Sequence, residues 1–467
     1  MNINRKRAAS LSLLPAILSL AWPTMLEQLM QTAVQYIDVA MVGSLGTEAT
    51  AAVGATSTVN WLVGSTISAL GVGFLAFIAK AYGENDRQKA AKATSQAVLA
   101  VLVSGIVFTV LTLSLSPVVP LLMRVDPDIR ALASQYFFIL YTPMLFRAAS
   151  IIFGTVLRAA GDTKTPMRMG ILVNIVNVVL NFFLIFPTRE VVIFDTVLAI
   201  PGADMKVIGA AVASAVAFAV GGICMTVALY RHPVISPRGQ RLVPDREVLK
   251  PCLKVAFPNM LQRFGTSFGY VAFASMINSL GDISTAAHTI ANTVESAFYV
   301  PGYGMQTAAA TLAGNAYGAK DKEKMKALAS AIIKIEVALM ILSGGLLFAF
   351  AEPLMGIFAK DDRVIALGTT VLRMVAVSEP FYGVSIIIEG MMQGVGKTMT
   401  PFVFNIVGMW GIRILGTFLF TQLLPYGLVA AWACMIGHNL FLFAVFLYLW
   451  RSGKWNPLQE RKALFRR

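Results

Sequence analysis

The amino-acid sequence predicts an all-α polytopic membrane protein with twelve transmembrane helices in two six-helix lobes related by a pseudo-twofold axis. Composition, a series of apolar segments and an internal repeat support this fold class. Of the 467 residues, 57% are hydrophobic and 13% are charged, against about 25% charged in typical soluble proteins. Soluble cores could not bury so much apolar surface, so the lipid bilayer must act as the solvent. This composition argues against a soluble enzyme, a nucleic-acid-binding protein and a disordered scaffold.

Twelve apolar segments are long enough to cross the hydrocarbon core, which takes about 20 helical residues. Several are longer, which indicates tilted or kinked helices. Pro23 and Pro258 lie early in spans one and seven, where each removes a backbone donor, and we predict a hinge at both. The predicted spans cover residues 12–43, 50–80, 92–117, 129–157, 167–187, 206–230, 252–279, 284–316, 327–351, 364–394, 400–424 and 427–450.

Basic residues select the orientation of these spans. Most of the 38 lysines and arginines lie at the two ends of the chain and in the connections after even-numbered spans. The positive-inside rule assigns those segments to the cytoplasm. We therefore predict a multi-pass protein of the cytoplasmic (inner) membrane of a prokaryote, with both termini cytoplasmic. The basic residues Arg5, Lys6 and Arg7 precede an apolar run too long for a signal peptide, so this run is predicted to be a retained first span.

The sequence predicts no cofactor and no enzymatic activity. Cys224, Cys252 and Cys434 lie far apart and indicate neither a disulfide framework nor a zinc site. The stretch Gly394–Thr398 lacks the spacing of a phosphate-binding loop. Energy must therefore come from an ion gradient or from a separate subunit.

The two halves of the chain match each other at a constant shift of 235 residues. Parallel repeats of six spans are typical of transporters in which two bundles rock about a central site. We predict a first lobe at 1–231, a proline-rich cytoplasmic linker at 232–247 that allows relative motion, a second lobe at 248–452 and a basic cytoplasmic tail at 453–467. The matches include Pro23 with Pro258, Ala81–Gly83 with Ala316–Gly318, Asp86 with Asp321, Asp126 with Asp361, Gly161 with Gly396, and Thr165–Pro166 with Thr400–Pro401.

Span one carries a polar stripe within an arc of about 80° at helical spacing. A carboxylate at membrane depth costs about 2.5–3.5 kcal/mol on insertion scales, so we predict that Asp38 faces a cavity and binds the coupling cation. The alternative for Asp38 is an interfacial position at the end of the span. The same stripe contains Thr24, and Glu27, Gln31 and Gln35 on it are assigned to a substrate cavity.

Span five carries a second stripe, formed by Asn174, Asn177 and Asn181, and Ser214 in span six could add a hydroxyl. Amide oxygens beside a carboxylate suit Na+, whereas a carboxyl among neutral amides could carry a proton. The sequence leaves Na+ and H+ open, and it predicts no metal site apart from Na+ at Asp38. Hydrogen bonding between helices is the alternative role of the asparagines.

Polar and acidic residues of spans seven, eight and ten are predicted to contact the substrate. The repeat pairs Asp38 with Phe273, so we place the coupling site in the first half and substrate contacts in both halves. Acidic residues here could bind a cationic compound, or they could pair with the intramembrane arginines Arg147, Arg263, Arg373 and Arg413. The second-half candidates are Gln262, Arg263, Thr266, Tyr270, Glu295, Glu379, Tyr382 and Glu389.

Five stretches carry a family resemblance: Ala21–Pro23, Tyr36–Gly43, Ala81–Glu84, Leu157–Thr163 and Asn174–Asn181. Through them the chain resembles, over nearly its whole length, the multidrug and toxic compound extrusion (MATE) family of the multidrug/oligosaccharidyl-lipid/polysaccharide flippase superfamily. The resemblance implies twelve helices in two lobes and export of cationic amphipathic compounds in exchange for Na+ or H+. The span-one proline and aspartate of the family fall on Pro23 and Asp38, and its span-five polar pair falls on Asn177 and Asn181.

The chain departs from the family pattern at two places. The DinF-like branch usually has a second aspartate where this chain has Asn181. The acidic positions of the NorM-like branch fall near Thr266 and on Tyr382, with Glu379 one turn away. Asp38 is therefore the leading candidate for the coupling carboxylate.

These observations predict a monomeric secondary antiporter for multidrug efflux, which works by alternating access of its two lobes. Its partners would be small cationic amphipathic compounds and the lipid bilayer, with no nucleic acid. A lipid-linked oligosaccharide flippase of the same superfamily is one alternative, because Arg147 and Arg263 could meet an anionic head group. A membrane scaffold or receptor without transport is another, and it would not need the polar faces.

Overall fold

Twelve helical spans in two lobes are present, as predicted, in a computed structural model that describes residues 2–123, 125–193 and 196–459. Residues 460–467 of the predicted basic tail lie outside this part of the chain. Within it, nine helices meet the length and hydropathy expected of a membrane span, or ten with the bent pair of span four. Spans seven and eight are the other two, and they carry more polar residues. The spans are Asn2–Gly43, Thr47–Gly83, Arg87–Leu115, Pro127–Tyr141 with Met144–Ala159, Lys164–Leu184, Lys206–Arg231, Arg246–Asn278, Asp282–Gly318, Lys322–Phe358, Asp362–Gly394, Met399–Leu423 and Leu428–Ser452.

The internal repeat is visible in how the helices begin. Asp86 Oδ1 accepts from the Lys89 amide at 2.9 Å, and Asp321 Oδ1 accepts from the Lys324 amide at the same distance. Each carboxylate satisfies a free amide of the first turn and favours the positive end of the helix dipole. Spans three and nine therefore begin five residues before the apolar segments predicted for them.

Span four is broken, which corrects the continuous span predicted at 129–157. Its two helices meet at an angle of 50°, and Pro143 lies immediately before the second helix. Proline has no amide hydrogen to continue the helical ladder. The repeat-equivalent residue of span ten, Ser378, lies inside a continuous helix.

Span eleven also departs from the regular helix predicted at 400–424. Two of its segments, Val407–Ile414 and Leu419–Leu423, adopt the wider π-helical geometry. The first segment contains Arg413, which is buried and lies over the rings of Tyr270 and Phe273. Such local widening is often found at functional sites.

A short β-hairpin connects spans five and six and was not predicted. Strands β1 (Pro187–Ile193) and β2 (Thr196–Ala203) pair in antiparallel fashion. A side chain at Gly202 would meet the Phe186 carbonyl oxygen at 2.2 Å, so the close approach requires glycine.

The first helix of each lobe packs, through its N-terminal part, in the core of the other lobe. Ile17 and Ala21 of span one pack in a core formed by spans eight, nine, ten and twelve of the second lobe. Val248 and Cys252 of span seven pack in the core of the first lobe. Ile17 and Cys252 are repeat-equivalent, so the exchange is reciprocal.

Spans two and eight touch backbone to backbone at the end of the bundle that holds Gly83 and Gly318, which we call the inner end. A Cβ atom at Gly83 would lie 2.0 Å from the Asn315 carbonyl oxygen, and one at Gly318 would lie 2.0 Å from the Lys80 carbonyl oxygen. Small residues allow such approach between membrane helices. These repeat-equivalent contacts close the inner end between the lobes.

The linker is fastened to the first lobe. Asp245 forms an ion pair with Lys92 of span three, which lowers the pKa of the Asp245 carboxyl. Gln96 of span three donates to the Val243 carbonyl and accepts from the Asp245 amide, each at 2.9 Å. The boundaries proposed for the lobes and the mobility of the linker stay predictions.

We expect Gly318→Ala to open the inner end. Overpacking costs about 1–3 kcal/mol, and each 1.4 kcal/mol changes a population tenfold. With Cys224 and Cys434 replaced by alanine, buried Cys252 should react with a maleimide about 10-fold faster in this variant. Gly345→Ala is the control, because nothing lies within 4 Å of its added methyl. Equal labelling rates in the two variants would contradict the explanation.

We expect the start of the linker to loosen in acid. His232 Nδ1 accepts from the Val234 and Ile235 amides at 3.2 and 3.3 Å. Burial lowers the pKa of His232 from its usual 6.5, while the Asp162 charge opposes this shift. The fold thus favours neutral His232, and its stabilising contribution is complete above pH 6.5 and lost as pH falls through the lowered pKa.

Amide hydrogen exchange at these two positions measures the effect. Protection corrected for intrinsic exchange should fall in acid for the wild type and stay constant in His232→Asn, whose acceptor oxygen does not titrate. A wild type with constant protection would show that the histidine does not hold this turn.

Candidate functional site

A chain of polar side chains in the first lobe joins spans one, five and six. The Asn181 amide donates to Asp38 Oδ1 at 2.6 Å and to Asn177 Oδ1 at 3.2 Å. The Asn177 amide lies 3.1 Å from Ser214 Oγ. The structure therefore brings together four of the five residues that the sequence assigned to cation coupling. We call Asp38, Asn177, Asn181 and Ser214 the Asp38 cluster.

Helical spacing positions this cluster. Asn177 and Asn181 are one turn apart on span five, and both are buried. Asp38 approaches them from the outer half of span one and is half-buried. The hydrogen bond from the Asn181 amide to the Asp38 carboxylate is charge-assisted, and such bonds are about twice as strong as neutral ones. The amides thus take the place of water around the carboxylate.

The amide of Asn177 has a second orientation that satisfies more partners. Turned by half a rotation, its nitrogen donates to Asp38 Oδ1 at 2.8 Å and Oδ2 at 3.2 Å, and its oxygen accepts from Ser214 Oγ at 3.1 Å. Asn181 Oδ1 is buried without a hydrogen-bond partner. Carboxylate, amide and hydroxyl oxygens are hard ligands, so rotation of the amides would supply ligands to a cation such as Na+.

Asn174, the fifth predicted residue, does not join the cluster. Its Nδ2 is buried without a hydrogen-bond partner among the described residues, so it forms no hydrogen bond with Asp38. Within the described ranges, no group of three or more His, Cys, Asp or Glu residues could hold a metal ion. A cation at this site would therefore depend on Asp38 together with neutral oxygens.

Glu27 lies on the predicted stripe and is held by a cation. Its Oε1 accepts from Arg158 of span four at 2.6 Å, and both side chains are mostly buried. The Arg158 carbonyl accepts from Thr311 of span eight, so the ion pair lies beside the junction of the lobes. Gln31 and Gln35 are exposed on the same helix. Their roles in a substrate cavity stay predictions.

The second lobe has a corresponding polar junction with different chemistry. Glu389 accepts from Gln262 at 2.7 Å, from Gln393 at 3.2 Å and from Asn405 at 3.2 Å. Gln262 and Gln393 are repeat-equivalent to Glu27 and Arg158. The Glu27–Arg158 ion pair of the first lobe is thus replaced in the second lobe by Glu389, which accepts hydrogen bonds from three amides. Nearby Arg263 donates to Asn259 Oδ1 at 3.0 Å.

Aromatic hydroxyls form a further group in spans eight and ten. Tyr303 and Tyr382 share a hydrogen bond of 2.9 Å, and the ring of Tyr299 lies edge-on to both. Glu295 and Glu379 are buried in the same two spans. The sequence prediction included Tyr382 and both carboxylates, whereas it missed Tyr299 and Tyr303.

Thr266, Tyr270 and the two predicted hinges have simpler surroundings. The Thr266 hydroxyl donates to the Gln262 carbonyl of its own helix at 2.9 Å, and the exposed Tyr270 ring lies beside Arg413. Pro23 and Pro258 both lie inside continuous helices. Bending at these prolines stays a prediction.

Arg147 is a cation inside the first lobe. It donates to Asn60 Oδ1 at 2.5 Å and lies over the rings of Phe218 and Tyr141, at 4.8 and 6.0 Å. The ion pairs among the described residues do not include it. Asn60 was missed by the sequence analysis, although a polar residue in the middle of an apolar span is a recognisable signal.

We expect Asp38 and Asn181 to be energetically coupled. A hydrogen bond to a charged group contributes about 1.5–3 kcal/mol, so a double-mutant cycle of Asp38→Ala and Asn181→Ala should show coupling of that size. Thermal unfolding in Na+-free alkaline buffer would measure it. The matched cycle with Asn174→Ala should show coupling near zero, and equal coupling in the two cycles would contradict the geometry.

Comparisons with known proteins agree with this arrangement. The MatE family model matches residues 23–183 and 258–419, one match in each half of the chain. A probable multidrug resistance protein NorM of Thermotoga maritima is 26% identical over 451 residues, covering 97% of this chain and 94% of the relative. The multidrug export protein MepA of Staphylococcus aureus is 21% identical over 383 residues, with 81% and 80% coverage.

Solved structures share the fold. A superfamily transporter from Pyrococcus furiosus, described as having a binding pocket of reverse polarity that suggests a different function, matches with a TM-score of 0.86 at 23% identity. An outward-facing multidrug resistance MATE transporter also matches with a TM-score of 0.86 at 23% identity. Each match covers 95% of this chain and 96% of the other. Since the family model covers more than half of the sequence, the chain belongs to the MatE family, a family of multi-pass membrane transporters.

Proposed function

We propose that this protein is a secondary active multidrug efflux antiporter that exports cationic amphipathic compounds in exchange for Na+ or H+. The observation that carries the proposal is the Asp38 cluster, in which the Asn181 amide and the turned amide of Asn177 both donate to the carboxylate inside one of two repeat-related lobes. An intramembrane carboxylate of this kind is expensive to maintain without a functional role. The names of the MepA and NorM relatives support efflux of several compounds.

The Asp38 cluster can hold either coupling ion. Without a cation, amide hydrogens of Asn181 and Asn177 stabilise the carboxylate. On Na+ binding, the amides would rotate so that their oxygens and the Ser214 hydroxyl coordinate the ion together with Asp38. On proton binding, Asp38 would become neutral, and the amides could donate to it or accept from it. In both cases ion binding changes the charge and the hydrogen bonds of spans one, five and six together.

Exchange follows if ion binding favours one arrangement of the lobes. The inner end is closed by the Gly83 and Gly318 contacts in this structure. A ligand shifts such an equilibrium only by its differential affinity for the two states. Uptake of the ion at Asp38 in the inner-closed state and its release in the inner-open state would drive the substrate in the opposite direction.

The second lobe offers groups suited to a cationic amphipathic substrate. Tyr299, Tyr303 and Tyr382 present aromatic surface and hydroxyls, and Glu389 and Glu295 present carboxyls nearby. Cations bind to aromatic faces and to carboxylates without a fixed geometry. We propose that such contacts, together with the exposed Gln31 and Gln35 of span one, accept compounds of varied shape.

We further propose that the protein works as a monomer in the prokaryotic inner membrane with both termini in the cytoplasm. The lysine and arginine distribution supports this orientation. The relatives from Thermotoga maritima and Staphylococcus aureus support a bacterial type of membrane protein.

Transport of an anionic lipid-linked head group is a second candidate function. Arg147 and Arg263 lie inside the two lobes, and neither forms an ion pair among the described residues. The description of the Pyrococcus furiosus relative shows that polarity of the pocket varies among proteins of this fold. A head-group transporter would depend on these arginines and not on Asp38.

Efflux from proteoliposomes tests the antiporter. A fluorescent cationic dye should be moved by an imposed Na+ or proton gradient, and Asp38→Asn should reduce this flux about 100-fold, as expected when an essential charged group is removed. The matched control is Asp126→Asn, because Asp126 caps the first helix of span four outside the lobes' interior. Flux in Asp38→Asn equal to the control would exclude the mechanism.

The same vesicles separate the alternatives. A lipid-linked anionic head group that moves in the wild type and in Asp38→Asn, and stops in Arg147→Gln, would favour the flippase. No gradient-driven movement of either substrate would favour a scaffold or receptor.

A further inference from the structure

Glu336 lies near the middle of span nine in surroundings without a polar partner. The residue is 0% exposed, and neither of its carboxyl oxygens has a hydrogen-bond partner in the part of the chain that the structure describes. The ion pairs formed by the described residues do not include it. An ionised carboxylate buried in this way costs several kcal/mol. Nothing in the Asp38 cluster or the tyrosine group accounts for its presence.

A notch between two neighbouring helices receives the Glu336 side chain. A Cβ atom at Gly302 of span eight would lie 2.7 Å from Glu336 Oε1. One at Gly383 of span ten would lie 3.1 Å from Glu336 Cγ and 3.2 Å from Oε1. A larger residue at Gly302 would therefore require the carboxyl group of Glu336 to shift from this position. Met340 and Ile386 complete the surroundings with sulfur and hydrocarbon.

The first lobe provides an internal comparison. In the 235-residue repeat, Val101 corresponds to Glu336, Ile67 to Gly302 and Ala148 to Gly383. All three residues of the first lobe are buried, with exposures of 3%, 0% and 0%. The larger side chain on span nine is thus matched by smaller residues on spans eight and ten. Hydrocarbon fills this position in the first lobe, whereas two glycines leave room for the longer carboxyl side chain in the second.

A second buried carboxyl group lies on the same helix interface. Glu379 is 2% exposed, and its Oε2 has no hydrogen-bond partner among the described residues. A Cβ atom at Gly344 of span nine would lie 3.4 Å from Glu379 Cβ, so Glu379 packs against the same helix as Glu336. Its repeat-equivalent residue is buried Met144. Among the described side chains, the titratable groups on the helices packed against span nine are Asp282, His288, Glu295, Tyr299, Tyr303 and Tyr317 of span eight, Asp362, Arg363, Arg373, Glu379, Tyr382 and Glu389 of span ten, and Glu27, Tyr36 and Asp38 of span one.

We propose that Glu336 is a proton-binding site of the second lobe, closed by the notch at Gly302 and Gly383. The bound proton sits on a carboxyl oxygen, and its release to water leaves the carboxylate. A metal ion would require several oxygen ligands, and the sulfur and hydrocarbon of Met340 and Ile386 supply none. A proton is therefore the ligand that this notch fits.

Release of the proton requires movement of the neighbouring helices. Pro301 precedes Gly302 in span eight, and Pro380 follows Glu379 in span ten. Each proline removes a helical hydrogen bond and creates a point at which the helix bends. Withdrawal of either span would admit water to Glu336 and allow it to ionise. Protonation at this site would in this way be linked to the shape of the second lobe.

Infrared spectroscopy of the full chain in lipid nanodiscs tests this site. A protonated buried carboxyl absorbs apart from carboxylates, and its band shifts in heavy water. The wild type at neutral pH should show this band, and Glu336→Gln should lose the intensity of one carboxyl group. Glu352→Gln is the control on the same helix, because Glu352 is exposed near Arg373, and it should keep the full band.

A folded Glu336→Gln variant with unchanged band intensity would overturn the proposal, as would a wild type without the band. If the glutamine variant aggregates, Glu336→Val provides the same readout with the residue of the first lobe, and its loss of one carboxyl would support the proposal equally. The measurement involves no transport. If the efflux assay excludes the proposed antiporter, the infrared result still tests the proton site. If the infrared result excludes the proton site, the efflux assay still tests the antiporter.

Discussion

The backbone contact between spans two and eight is the constraint on which the rest of the structure depends. Gly83 and Gly318 bring the two helices together without intervening side chains. The inner parts of spans one and seven also join the halves, because each packs in the opposite core, with Ile17 in the second lobe and Cys252 in the first. The close crossing that small residues allow and this exchange together hold the two lobes against each other.

The duplicated fold carries two different sets of charges. Asp38, which accepts hydrogen bonds from neighbouring amides, corresponds to Phe273 in the repeat, and Glu336 corresponds to Val101. Each lobe therefore has a carboxyl group within a span, half-buried Asp38 or fully buried Glu336, that the other lobe replaces with hydrocarbon. The polar groups around Glu27 and Glu389 show the same divergence. The Glu27–Arg158 ion pair of the first lobe corresponds to the neutral amides of Gln262 and Gln393 in the second. Packing is conserved between the halves, whereas the electrostatics belong to each half separately.

The sequence predicts the parts of this molecule that follow from helical periodicity and from the repeat. Twelve spans, the polar stripe with Asp38 and the approach of Asn181 are of this kind. The break in span four depends on how neighbouring helices accommodate Pro143, and a proline at a similar depth in span ten leaves that helix continuous. The ion pair of Glu27 depends on which helix lies opposite it. Neither property is contained in the spacing of residues along one helix.

Glu336 is a buried carboxyl that the sequence prediction did not include. A glutamate in the middle of an apolar span is uncommon, and comparison with Val101 and with the paired change from Ile67 to Gly302 would have identified it. Such comparisons require knowing which residues of three helices meet. The structure supplies those neighbours, and the internal repeat then distinguishes a residue needed for packing from one retained for another reason.

The reciprocal exchange of spans one and seven has a consequence for biosynthesis. Span one is inserted first, yet Ile17 and Ala21 find their packing partners only after spans eight to twelve have been made. The first lobe likewise lacks Cys252 until span seven emerges. The ribosome must therefore finish most of the chain before either core is complete. Until then lipid tails, which are as apolar as these side chains, must occupy the place of the second lobe around Ile17 and Ala21.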